Sequence, residues 1–65
     1  MDSEYSLEIK RTTDGEFIRQ VDIFNTYENA QAYADEHPID DDYYYTIWCI
    51  EYDEDGEEID YYPVY

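Results

Sequence analysis

Apolar and polar residues alternate singly near the start of the chain, where Tyr5, Leu7 and Ile9 are interleaved with Ser6, Glu8 and Lys10. A period of two sends neighbouring side chains to opposite sides of a strand, so this segment predicts a β-strand with one buried face. Thr13-Asp14-Gly15 follows, and Gly15 can take the positive φ that a three-residue hairpin loop with a bulge requires. Phe17, Arg19, Val21 and Ile23 then alternate with Ile18, Gln20 and Asp22. Pairing Thr12 with Glu16 sets Leu7 opposite Val21 and Tyr5 opposite Ile23, with the apolar sets of both strands on one face.

The period then lengthens. Asn25 is a good N-cap, Glu28 completes a capping box, and Phe24 stands at the staple position. A helix from Thr26 to Glu36 would turn Tyr27, Ala30, Tyr33 and Ala34 inward, and the two alanines permit close approach to a sheet. Pro38 disfavours helical geometry at His37 and ends the helix there. His37 itself suits a helix C-terminus, where the macrodipole favours its charged form. Past Ile39 and the acidic loop Asp40-Asp41-Asp42, a long strand runs from Tyr43 to Tyr52. A glycine turn at Asp53–Gly56 leads into a return strand from Glu57 to Val64. The chain reads as one α+β domain over residues 1–65 with element order ββαββ. A right-handed crossover through the helix gives a four-stranded antiparallel sheet of order 2-1-3-4, its helix packed on one face. Both turns carry Asp-Gly-Glu-x-Ile, which shared turn chemistry explains more simply than duplication.

Pairing Asp53 with Glu57 sorts the second hairpin into two faces. Tyr45, Ile47, Cys49, Ile59 and Tyr61 form an apolar set assigned to the helix side. Tyr44, Thr46, Trp48, Ile50 and Tyr52 form the other, with Glu58, Asp60, Tyr62 and Val64 across from them. An open aromatic face edged by carboxylates would be a contiguous exposed patch, and such patches mark interaction sites. Two other arrangements fit the same pattern: Trp48 and Ile50 in the core with Cys49 outward, or both faces buried, one against the helix and one in a homodimer.

Charge changes the picture most. All three basic residues, Lys10, Arg11 and Arg19, precede residue 20, against 19 acids and a net charge of −16 on 65 residues. Self-repulsion of that size opposes compaction unless salt screens it or a cationic partner uses it. Aromatics at 20% and clean alternation argue that the chain folds nonetheless. Nucleic acid and anionic membrane surfaces would repel it, so direct binding to either is not expected. The first residues lack the basic and apolar regions of a secretory signal, no stretch is long enough for a membrane helix, and a single cysteine in an apolar run suits a reducing cytosol.

Catalysis has little support. His37 is the only histidine, and Cys49 lies among carboxylates that oppose a thiolate. Asp53-x-Asp55-Gly56 and Asp40-Asp41-Asp42 offer hard oxygen ligands. They lack the third acid, the position-twelve glutamate and the flanking helices of a calcium loop, so no dedicated metal or cofactor is expected.

An array of fixed anions explains more. Same-face residues two apart on a strand stand roughly 6.6 Å from each other, comparable to neighbouring backbone phosphates. Asp40, Asp41, Asp42, Asp53, Glu54, Asp55, Glu57, Glu58 and Asp60 would supply the anions, with Tyr44, Trp48, Tyr52 and Tyr62 as aromatic anchors. In size, charge, tyrosine enrichment and the runs Asp40–Asp42 and Asp53–Asp60, the chain resembles the small acidic inhibitors of phages and mobile elements. These include anti-CRISPR proteins, uracil-DNA glycosylase inhibitors and anti-restriction proteins. The resemblance implies a non-enzymatic DNA mimic in a bacterial cytoplasm. Its partner would be a basic nucleic-acid-binding protein: a Cas nuclease first, or a DNA-repair or restriction enzyme. Alternatives are a phage-encoded structural module docking through its aromatic face, and halophile-type solubility, which predicts dispersed rather than clustered acids.

Overall fold

Five elements follow one another in the computed structural model, which describes residues 2–64: β1 (Asp2–Arg11), β2 (Phe17–Phe24), α1 (Tyr27–Glu36), β3 (Tyr43–Tyr52) and β4 (Glu58–Pro63). The strands form one antiparallel sheet of order β2-β1-β3-β4, as the crossover argument expects. β1 and β3 are the central pair, in unbroken register from Asp2 opposite Tyr52 to Arg11 opposite Tyr43.

Leu7 of β1, Ala30 of α1 and Ile47 of β3 make the buried centre, with Tyr5, Val21, Phe24, Tyr27, Tyr33, Ala34 and Tyr45 packed around it. The inner stripe expected of the helix is therefore the stripe that meets the sheet. Burying a side chain such as Leu7 or Ile47 contributes roughly 1.5–3 kcal/mol, a large share of the stability of so small a domain. The helix begins one residue later than expected. Thr26, not Asn25, is the N-cap, in extended geometry with its hydroxyl accepting from Asn29 N–H at 3.1 Å. β-Branched threonine is a poor helix interior residue and a good cap, so the boundary falls after it. At the other end His37 caps as expected. Its N–H donates to the Tyr33 carbonyl at 3.0 Å, its Nδ1 lies 2.9 Å from the same oxygen, and its ring stacks on Tyr33.

Registers depart from the sequence reading in both hairpins. The first closes at Arg11 and Glu16, with Gly15 at φ 69°, rather than at Thr12 and Glu16. Two register shifts make Ile18 and Val21 extra residues on β2, so Leu7 faces Asp22 and Tyr5 faces Phe24. Edge strands tolerate such bulges, and Val21 still reaches the core. The second turn closes at Asp53 and Glu57 as expected, with Gly56 at φ 84° and the Asp53 carboxylate accepting from the N–H groups of Asp55 and Glu57. A bulge then makes Ile59 an extra residue, and beyond it Tyr61 faces Ile50 and Tyr62 faces Cys49. A slip of one residue exchanges the two faces of a strand. The expected placement of Tyr61 on the helix side and Tyr62 on the other is therefore reversed. Adjacent tyrosines made either register acceptable to the apolar pattern.

Candidate functional site

The assignment of Tyr45, Ile47 and Cys49 to the helix side holds, since Ile47 joins the helix-packed core and Cys49 is buried. The arrangement with Trp48 in that core and Cys49 outward does not occur. The even residues of β1 and β3 face away from α1. There Trp48 stacks on Tyr61, centroids 4.8 Å apart and 14° from parallel, and Lys10 Nζ stands 4.9 Å from the Trp48 ring. Beneath them lies a polar chain. Tyr61 OH donates to Glu8 Oε2 at 2.6 Å, Ser6 Oγ donates to the same oxygen at 3.0 Å, and Gln20 Nε2 donates to Ser6 Oγ at 2.8 Å. Ser6 is 0% and Glu8 7% exposed. A buried carboxylate held by hydroxyls rather than by a cation is the feature sequence reasoning missed, because Glu8 read only as a polar position in an alternating strand. Burial, then its hydrogen bond to Glu8, pushes the Tyr61 phenol up to about 12.

This face is only in part the open aromatic patch expected: Ile50 is buried and Trp48 half-buried, whereas Tyr44 and Tyr61 are exposed, as are Phe17 and Ile23, which β2 sets opposite Lys10 and Ser6. Tyr44, Trp48 and Tyr52 share the face as expected, whereas Tyr62 lies on the opposite side beside Cys49. Its hydrogen bond to Cys49, then burial, raises its phenol to about 12. Tyr61 takes the place assigned to Tyr62.

The expected anions are not gathered into one surface. Asp40–Asp42 sits where β3 begins and is pinned to the first hairpin through its backbone. The Asp42 carbonyl accepts from Thr12 N–H and the Asp41 carbonyl from Thr12 Oγ1, each at 2.8 Å. Asp53–Glu57 sits where β3 ends, about 30 Å away by the rise of a ten-residue strand. Nor do Glu58 and Asp60 share a face: the bulge sets Glu58 against Tyr52 and Asp60 against Glu51. Two of the expected anions have internal duties, Asp53 in its turn and Asp60 through Oδ1 accepting from Tyr61 N–H. Glu54, Asp55 and Glu57 are exposed and make no side-chain hydrogen bond or ion pair among the described residues.

Basic residues are all at the first end. Lys10 and Arg11 close β1, Arg19 pairs with Ile9, and Arg11 forms ion pairs with Asp14, at 3.6 Å, and with Glu16. The far end carries Asp2, Glu4, Glu51, Asp53, Glu54, Asp55, Glu57, Glu58 and Asp60 with no lysine or arginine among the described residues. Asp2 and Glu4, two apart on a regular strand, supply the same-face carboxylate pair that Glu58 and Asp60 do not. A polar hollow at this end is lined by Asp2, Ser3, Glu4, Asn25, Tyr52 and Gly56. Hydrogen bonding to Glu4, burial, and the charges of Glu4 and Glu58 raise the Tyr52 phenol.

Among the described residues, no three His, Cys, Asp or Glu side chains are grouped to hold a metal ion, and no helix is long and apolar enough to cross a membrane. No protein-family model, curated protein or solved structure matches the chain.

Proposed function

We propose that this chain is a non-enzymatic inhibitor that occupies the basic nucleic-acid-binding groove of a target protein, its carboxylates standing in for phosphates. The scaffold of this reading is the ββαββ domain with its helix on one face. The observation that carries it is the segregation of charge: one end of the sheet is dense in acids and holds no basic side chain, on backbone fixed by a hairpin turn. A groove built of Lys and Arg to neutralise phosphates is complementary to such an end. The anions are Asp2, Glu4, Glu54, Asp55, Glu57 and Glu58, with Asp53 holding the turn. Asp40–Asp42 is remote from them. Among targets with such a groove, the DNA- or PAM-binding surface of a Cas effector in a bacterial cytoplasm is our first choice. DNA-repair and restriction enzymes follow.

Competition tests the reading. Labelled duplex DNA bound to a purified Cas effector, glycosylase or restriction enzyme is titrated with this protein, and displacement is followed by fluorescence anisotropy. Displacement that weakens as salt rises is expected, with the triple variant Glu54→Gln, Asp55→Asn, Glu57→Gln much poorer at every salt. Failure to displace DNA from any of them, or an affinity flat in salt, rejects the mimic. A second reading, an interaction module that docks through its aromatic face, draws on the exposure of Tyr44 and Tyr61. It expects binding that survives the triple substitution and fails with Tyr44→Ala.

A further inference from the structure

We infer that the hollow between Asp2, Glu4, Asn25 and Tyr52 is a subsite for one arginine side chain of the partner, an assignment that rests on the mimic reading and narrows it. The hollow is a depression, whereas the other acids of this end lie in the turn Asp53–Glu57 or along β3 and β4. Its lining is mixed. Asp2 and Glu4 offer carboxylates on one strand face, Asn25 an amide, and Tyr52 an aromatic ring with its hydroxyl beside Glu4. Gly56 forms part of the wall, and a side chain there would meet nothing within 4 Å, so this rim is open.

A guanidinium meets each of these groups in a way an ammonium does not. It is planar, donates in parallel pairs to a carboxylate, stacks on an aromatic face, and is more weakly hydrated. Its apolar stem can lie along Tyr52 while the charged tip reaches Asp2 and Glu4. The molecule already seats a cation against an aromatic ring on this face, Lys10 over Trp48, but that site is filled from within and lies toward the other end of β1. Among the described residues no lysine or arginine lies near the Tyr52 hollow, which leaves its carboxylates open to a cation of the partner.

The experiment is a ¹H–¹⁵N NMR titration of the intact protein with end-blocked octa-arginine and octa-lysine peptides at one fixed ionic strength. Octa-arginine is expected to bind about two- to fivefold more tightly than octa-lysine, the range of one exposed aromatic–cation contact. The largest shifts should fall on the amides of Glu4, Asn25, Tyr52 and Gly56. Glu4→Gln and Tyr52→Leu should each lower octa-arginine affinity more than octa-lysine affinity, and so reduce the preference for arginine. Glu4→Gln preserves side-chain volume and guards against a Tyr52→Leu chain that misfolds. Equal affinities, or shifts centred on Asp40–Asp42 or on Trp48, overturn the subsite. DNA displacement that persists alongside equal peptide affinities removes the subsite and leaves the mimic standing. Absence of binding to either peptide, together with absence of displacement, removes both.

Discussion

Replacing Glu8 probes the polar chain that holds the aromatic platform, and the geometry sets the size of the effect. In Glu8→Ala, Ser6 Oγ loses its acceptor while wholly buried, and an unsatisfied buried hydroxyl costs about 1–3 kcal/mol. Loss of one buried methylene adds about 0.8 kcal/mol. Tyr61, 42% exposed, can turn its hydroxyl to water and adds little. The expected loss is about 2–4 kcal/mol, or roughly 8–32 °C in Tm at about 4–8 °C per kcal/mol for a domain of this size. Glu8→Gln behaves differently. Both donors converge on the single oxygen Oε2, so one amide oxygen can serve both, and the expected loss is within about 1 kcal/mol. Each variant also removes one negative charge from a chain of −16, which favours folding. Exposed Glu57→Gln gives the same relief without touching the chain of hydrogen bonds, so its shift is the correction to subtract. Thermal unfolding followed by far-UV circular dichroism measures all three, and the near-UV band reports the Trp48–Tyr61 stack. If Glu8→Gln costs as much as Glu8→Ala, or Glu8→Ala costs under about 0.5 kcal/mol, Glu8 is not the acceptor on which this face depends.

Three further outcomes follow from the same structure. Thr26→Ala should cost about 1 kcal/mol by chemical denaturation and Asn25→Ala much less; the opposite ranking returns the N-cap to Asn25. Moderate NaCl should raise Tm, because the screening length falls from about 10 Å at 0.1 M to about 3 Å at 1 M; a Tm that falls counts against self-repulsion as the dominant long-range term. Tyr61 and Tyr62 titrate near 12 in the folded chain, above the ordinary tyrosine value of 10.0, so the fold holds extra protons between those values. Their contribution is present below pH 10 and is lost as pH rises through 12, and denaturation should track tyrosinate absorbance in that window. Stability unchanged across it refutes the placement of both phenols.

Legibility in the sequence followed specificity of pattern. β3 was readable to the residue because Tyr43–Tyr52 is a long apolar run between an acidic loop and a glycine turn, and its central pairing with β1 has no irregularity. The sheet order followed from chain connectivity. Bulges were not readable: Ile18, Val21 and Ile59 are apolar residues that fit either register, and Tyr61-Tyr62 offers the same ring to both faces. That single slip exchanged one aromatic anchor for its neighbour and separated Glu58 from Asp60. The acidic runs were legible as composition but not as a surface, since nothing in Asp40–Asp42 or Asp53–Glu57 says that a whole strand lies between them. Asp2, Glu4 and Glu8 escaped notice because a carboxylate on an alternating strand reads as a solvated face until its neighbours are known.

The gathering of Lys10, Arg11 and Arg19 at one extremity has an orientational consequence. A molecule carrying surplus charge at one tip and partial neutralisation at the other is an elongated electric dipole, about 40 Å on its longest axis. In the field of any positively charged surface such a molecule experiences torque before atoms meet, and the β3–β4 tip is turned forward.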